Sequence, residues 1–241
     1  MLSVMEVKKR LPRDFIEELD SLHSPLVADK ILAGMAGKRN TTLRVNTLKY
    51  NIQDLMRYLR EINIKFERVS FFNNALIIKN ATEKDIQKLD IYEKGYIYLQ
   101  SLSSMIPPLV LDAKGNEQIL DMASAPGSKT TQISAMMNNT GHIIANELDK
   151  IRCERLKFNL NNQGATNVEV INGYAEKLGE KYLETFDRVL LDTPCSGEGR
   201  FIAEIAGTYR NWSLKTVKEL SKIQRKLIKS GYNALKPGGI M

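Results

Sequence analysis

Apolar positions recur every three or four residues over the first forty positions, with Leu11, Phe15 and Leu19 on one face, which predicts helices there. The period then changes. "TLRVNTLKY" (42–50) reads as a strand and "IQDLMRYLREI" (52–62) as an amphipathic helix. "KFERVS" (65–70) and "NALIIKN" (74–80) read as strands around the turn-like pair Asn73 and Asn74, "EKDIQKLDI" (83–91) as a short helix and "GYIYLQ" (95–100) as another strand. This mixture predicts a small α+β module over residues 1–105.

Beyond residue 105 the pattern becomes regular. "EQILDM" (117–122), "GHIIANE" (141–147), "NVEVIN" (167–172) and "FDRVLLD" (186–192) have the apolar character of buried strands. "GSKTTQISAMM" (127–137) and "DKIRCERLKFNLNNQG" (149–164) lie between them as helices. A long helix follows over 213–235, capped by Ser213, with Leu214, Val217, Leu220, Ile223 and Leu227 along one stripe. Alternation of this kind predicts a doubly wound parallel sheet over residues 106–241, with ligands at the carboxyl ends of its strands. "KPGGIM" (236–241) is expected to turn into a fifth strand.

Composition narrows the class. The 241 residues are 43% hydrophobic and 26% charged, which excludes a disordered chain. No apolar run reaches the roughly 18 residues needed to cross a bilayer, and the charged start "MLSVMEVKKR" is unlike a signal peptide, so a cytoplasmic protein without a membrane is expected. Two cysteines, Cys153 and Cys195, give no disulfide framework, and with two histidines no metal site is expected. The net charge of +7 is consistent with a polyanionic partner such as nucleic acid.

Two loops carry candidate chemistry. "DMASAPGSKT" (121–130) joins a strand to a helix with small residues and Gly127, so that a ligand can approach the backbone and the helix N-terminus. It is not a phosphate-binding P-loop, because Ala123 and Ser128 stand where glycines are required. A purely structural turn is the alternative. Glu147 closes the next strand, where an acid can accept both hydroxyls of a ribose or simply start a helix. Together these features suggest an adenosine cofactor without phosphates, and S-adenosyl-L-methionine fits. "LLDTPCSGEG" (190–199) presents Cys195 three residues after Asp192, on an exposed loop.

With "RVNTLK" (44–49), "YLQSLSSMIPPLVLD" (98–112), "DMASAPGSKT" and "LLDTPCSGEG" in that order, the chain resembles the Sun-type (Nop/Sun) family of RNA cytosine-5 methyltransferases from about residue 11 onward. The resemblance implies a Rossmann-like S-adenosylmethionine-dependent methyltransferase core behind a small α+β N-terminal domain. It also implies methyl transfer to carbon 5 of a cytosine in tRNA or rRNA. In that chemistry a thiolate adds to carbon 6 of the base, the resulting enamine takes the methyl group, and loss of the carbon-5 proton releases the adduct. By resemblance Ala123, Ser124, Ala125, Pro126, Gly127, Ser128 and Lys129 line the methionine end of the cofactor, Glu147 holds the ribose, and Arg152 and Asp192 complete the pocket. Asp192 also assists at ring nitrogen 3, and Lys129 lies near the base. Where the family has an aspartate at the adenine edge this chain has Tyr174, which can stack or donate one hydrogen bond, unless Asn172 takes the role.

The family uses two cysteines. Cys195 matches the Pro-Cys residue associated with product release, whereas the covalent nucleophile sits in a Thr-Cys motif after the fifth strand, and no Thr-Cys pair occurs in these residues. Cys153, on a helix, is expected to be a core residue. Three alternatives follow: a fragment of a longer enzyme, Cys195 as the nucleophile itself, or a non-catalytic RNA-binding module. The fragment reading leaves the strand at 186–192 with an unpaired edge that favours self-association, whereas the complete enzyme is expected to be a monomer. Arg44, "VKKRLPR" (7–13) and the basic helix "KELSKIQRKLIKS" (218–230) are candidate RNA-backbone contacts, and Trp212 is a candidate for stacking a flipped base or for the core.

Overall fold

A computed structural model describes residues 2–37 and 39–241. In chain order it contains α1 (Val4–Arg10), α2 (Arg13–Leu22), α3 (Pro25–Gly34), β1 (Thr41–Val45), α4 (Ile52–Glu61), β2 (Phe66–Arg68), β3 (Ala75–Ile78), α5 (Glu83–Ile86), α6 (Asp90–Glu93) and β4 (Ile97–Leu99). There follow α7 (Leu102–Leu111), β5 (Gln118–Asp121), α8 (Ser128–Met136), β6 (His142–Glu147), α9 (Lys150–Gln163), β7 (Val168–Asn172), α10 (Leu178–Lys181), β8 (Phe186–Leu190), α11 (Leu214–Ala234) and β9 (Leu235–Ile240).

The residues fall into two compact units. One comprises residues 1–39 and 194–225, the other residues 40–193 and 226–241. In the first, α1–α3 turn Val7, Phe15, Leu19, Ala28 and Leu32 onto a shared core with Leu11 of the α1–α2 link, which residues from far along the chain, Phe201 and Ala203, complete. Phe15 meets Phe201 and Trp212 edge-on, at 5.1 and 5.6 Å between ring centroids. Trp212 is thus a packing residue, as one of its two expectations had it.

The second unit holds two sheets. The smaller is antiparallel, in the order β2-β3-β1-β4, with Leu43 and Val45 facing Leu55 and Leu59 of α4 in a common core. The larger is wholly parallel, in the order β7-β6-β5-β8-β9, as the alternation predicts. Its central strand β5 buries Ile119 and Leu120 on opposite faces, against different clusters.

Four features differ from the sequence expectations. The segment 83–91 forms two one-turn helices rather than one. β9 begins at Leu235, before the Lys-Pro-Gly-Gly segment, and pairs with β8 (Phe186 opposite Leu235, Arg188 opposite Ile240), so β8 has no unpaired edge. β9 itself carries Pro237 and ion-paired Lys236, which discourage further pairing. On α11 only Leu227 of the expected stripe is buried and Ile223 is exposed. The helix instead buries Ser230, Gly231 and Ala234, because it approaches too closely for larger side chains: a Cβ on Gly231 would lie 2.9 Å from Met122 Sδ.

The fourth correction is Arg44, which is 1% exposed and so is not an RNA contact. It alternates with Leu43 and Val45, so it leaves β1 on the opposite face. There its Nε donates to Gln100 Oε1 at 2.8 Å, and Nη2 donates to Thr131 Oγ1 at 2.7 Å and to the Ser128 carbonyl at 3.2 Å. Gln100 continues to Gln132 at 3.0 Å, and Gln132 to the Met105 carbonyl at 2.9 Å. Burial lowers the Arg44 pKa to about 10, which leaves the guanidinium charged at neutral pH with only neutral acceptors and the Tyr98 ring around it. Removing an acceptor from a buried charge is costly, so Gln100→Leu is expected to lower the unfolding free energy by about 3 kcal/mol in urea titration. A loss below about 1 kcal/mol would show that the guanidinium finds other partners.

Candidate active site

The loop between β5 and α8 is held from below by the neighbouring strand and from the side by α9. The Ser124 N–H and hydroxyl both donate to the Asn146 carbonyl, at 2.9 and 2.8 Å, and Asn146 Nδ2 returns a bond to the Met122 carbonyl at 3.0 Å. From α9, Arg152 Nη2 donates to the Ala125 carbonyl and Asn159 Nδ2 to the Pro126 carbonyl, each at 2.7 Å. Gly127 starts α8 at φ +103°, where a side chain is strained, and a Cβ would stand 3.0 Å from Leu156. No side chain caps the helix there, so its first N–H groups remain available beyond Ser128.

Glu147, at the end of β6, is buried. Its Oε1 accepts from the Asp149 N–H at 2.9 Å, while Oε2 lies 3.3 Å from Arg152 Nη1 without accepting a hydrogen bond. Asp121 Oδ1 and Asn146 Oδ1 are likewise buried acceptors with no donor. Three buried acceptors without donors at the carboxyl ends of adjacent strands fit a ligand rich in N–H and O–H donors, as the ribose and ammonium groups of S-adenosylmethionine are.

Lys129 projects from the first turn of α8 to Asp192 beyond β8, with Nζ 2.5 Å from Oδ2 and 3.1 Å from Ser104 Oγ. Lys129 is mostly covered and Asp192 half exposed. The structure therefore pairs two of the residues expected to be catalytic. Asn172 Nδ2 is committed to the Glu147 and Leu148 carbonyls at 2.7 and 2.8 Å, and Tyr174 is exposed with its ring near Lys177. Cys153 is buried in α9, where burial pushes its thiol pKa up. Cys195 is exposed and belongs to the other compact unit. A cavity of about 520 Å³ beside Tyr92, Tyr98, Phe158 and Asn159 shares only Pro126 with the expected cofactor residues.

Sequence reasoning passed over Ser104, Asn146, Asn159 and Asp121. Two of them stand inside the quoted motifs, and the missing signal was the partner each would meet. Asp121 is the most unusual: burial outweighs a 2.7 Å hydrogen bond from Thr130 Oγ1 and raises its pKa to about 6.

Among the described residues no group of three or more His, Cys, Asp or Glu side chains is arranged for a metal ion, and no helix is long and apolar enough to cross a membrane. The sheet order, the small-residue loop and the acid after the second strand define a Rossmann-like methyltransferase fold. A family described as 16S rRNA methyltransferase RsmB/F matches residues 108–241, and the ferredoxin-like domain of RsmF/B-like methyltransferases matches residues 12–85. The first match spans more than half of the chain, which belongs to the RsmB/F methyltransferase family. Ribosomal RNA small subunit methyltransferase F of Aeromonas salmonicida is 35% identical over 237 residues, 96% of this chain and 50% of the relative. That of Citrobacter koseri is 36% identical over 235 residues, 95% and 49%. The chain spans about half the length of the curated relatives it matches. A solved methyltransferase homolog protein from Pyrococcus horikoshii superposes with a TM-score of 0.76 at 31% identity, covering 95% of this chain and 76% of that one. NSun6 from the same organism, solved with SFG, shares the fold with a TM-score of 0.87 at 22% identity, covering 97% and 83%.

The raised Asp121 pKa has a definite sign for stability. Below about pH 4 the carboxyl is protonated both folded and unfolded. Between about pH 4 and 6 the unfolded chain ionises first, so folding loses about 3 kcal/mol, and the loss is complete above pH 6. Asp121→Asn is therefore expected to raise the melting temperature at pH 7.5 and to make little difference near pH 4; an equal effect at both pH values would contradict a raised pKa.

Proposed function

We propose that the protein to which these residues belong transfers a methyl group from S-adenosylmethionine to carbon 5 of a cytosine in small-subunit ribosomal RNA. The observation that carries this reading is the Lys129–Asp192 pair, which brings the first turn of α8 and the end of β8 together in a chain of the RsmB/F family. The names of the curated relatives favour rRNA over tRNA as the substrate.

S-adenosylmethionine, when bound, supplies the electrophilic methyl group. Residues 123–129 hold its methionine end, Glu147 accepts from the ribose hydroxyls, and Arg152 keeps Glu147 and the Ala125 carbonyl in register. With Asn172 tied to backbone, the adenine edge falls to Tyr174, whose exposed ring is available for stacking. Asp192 faces ring nitrogen 3 of the target cytosine, and Lys129 keeps that carboxylate oriented until the base arrives. Cys195 serves product release, and the carbon-6 nucleophile is the Thr-Cys residue of the longer protein. RNA phosphates are met by the exposed Lys9 and Arg10 and by the lysines of α11, since Lys8 and Arg13 are engaged with acidic partners. As for its bacterial relatives, whose ribosomes lie in the cytoplasm, the place of this reaction is the cytoplasm.

The decisive experiment is transfer of labelled methyl to small-subunit rRNA, comparing these 241 residues with the chain extended through the next strand. The extended chain alone is expected to transfer label. Transfer by the shorter chain that Cys195→Ser abolishes would make Cys195 the nucleophile instead, and silence from both would favour a binding module. In the active form, Asp192→Asn or Lys129→Ala is expected to lower kcat by about 10²-fold or more, as loss of a proton-transfer partner does. Glu147→Gln is expected to weaken cofactor binding by about tenfold, read by calorimetry, with kcat much less affected.

A further inference from the structure

Cys195 lies in a segment whose backbone is held on either side of it, at Pro194 and from Gly197 onward. Gln224 Nε2 donates to the Pro194 carbonyl at 2.9 Å. The Arg200 N–H donates to the Gly197 carbonyl at 2.8 Å, the Phe201 N–H to the Glu198 carbonyl at 3.0 Å, and Arg39 Nη2 to the Gly199 carbonyl at 2.5 Å. Gly197 turns the chain at φ +84°. At the centre is one carboxylate oxygen. Glu198 Oε1 accepts from Ser196 Oγ at 2.5 Å and from Trp212 Nε1 at 2.7 Å. Trp212 is in turn wedged edge-on against Phe15 and Phe201, and Phe201 is buried.

We propose that Glu198 is a positioning residue for Cys195: it pins the hydroxyl next to the thiol to an indole fixed in the aromatic core, and so sets where the Cys195 thiol is presented. The inference rests on the functional role assigned to Cys195 above. Its geometric content, that the carboxylate orders the cysteine turn, stands apart from that role. Burial raises the Glu198 pKa, but the hydrogen bonds from Ser196 and Trp212 outweigh it and hold the carboxyl below its usual value, so it is ionised wherever the enzyme would work. A charged acceptor makes both bonds stronger than neutral ones. The arrangement also accounts for a tryptophan, which offers an N–H where phenylalanine has none.

The test is the rate of Cys195 alkylation by iodoacetamide, read by peptide mass spectrometry from pH 6 to 10 on the intact chain. Buried Cys153 serves as the internal control. The high-pH limiting rate reports how the thiol is presented, and the midpoint reports its charge environment. Glu198→Ala is expected to change the limiting rate by at least about fivefold, the scale of one lost charge-assisted hydrogen bond. Glu198→Gln keeps an acceptor oxygen and is expected to stay within about twofold of the parent limiting rate. Trp212→Phe keeps the ring packing, loses the donor, and is expected to behave like the alanine variant. If Glu198→Ala does not fold, Ser196→Ala breaks the same link from the other side.

An unchanged limiting rate in the alanine and phenylalanine variants overturns the proposal, as does a glutamine variant that behaves like alanine. Failure of the functional reading shows elsewhere, as methyl transfer by the Cys195→Ser form of the extended chain at its parent's rate. Alkylation needs neither cofactor nor RNA, so the two outcomes cannot be confused.

Discussion

A charge without a counter-charge joins the two sheets of the larger unit. Arg44 leaves an antiparallel strand and spends its guanidinium on a glutamine, a threonine and a backbone carbonyl of the helix that follows the central parallel strand. Burying an arginine among neutral groups is expensive, so these acceptors must hold their geometry together. The helix so fastened is α8, whose first turn carries Lys129 and whose start is the loop expected to receive the cofactor. Asn46, two residues along, does the same for α9, donating to the Gly95 and Gln163 carbonyls at 2.8 and 2.7 Å. The Arg-Val-Asn stretch thereby sets both helices that shape the site.

Much of this architecture was legible in the sequence. The alternation of apolar strands and amphipathic helices identified the parallel sheet, and the small residues around Gly127 marked the loop with correct neighbours on either side. What escaped was everything that depends on a partner distant in sequence. Arg44 looked like a surface cation because nothing in its local pattern announces Gln100 or Thr131. α11 looked like a helix with a leucine and isoleucine stripe. Its buried face is set instead by the closeness of Met122 and Ala175, and that favours serine, glycine and alanine.

The candidate site shows the same division. Residue types within the two motifs were readable as chemistry, but their relations were not: Lys129 and Asp192 are separated by most of the parallel sheet in sequence and touch in space. Asp121 lies within a quoted motif, yet its tension between burial and ionisation appears only once the walls around it are known. The acceptors left without donors on Asp121, Asn146 and Glu147 make the same point, since an unfilled hydrogen bond is a property of neighbours and not of a motif.

The first compact unit is assembled from the two ends of a long detour in the chain. Helices α1 to α3 are complete by Gly34, but Phe201 and Trp212, which close their core, come roughly 170 residues later. At a synthesis rate of roughly 5–20 residues per second, the apolar faces of these helices wait on the order of ten seconds or more for their partners to leave the ribosome. The two sheets of the other unit can pair strand by strand as they emerge. The turn bearing Cys195 is then among the last parts of its own unit to acquire shape, and its order is a late report that the N-terminal helices have found their mates.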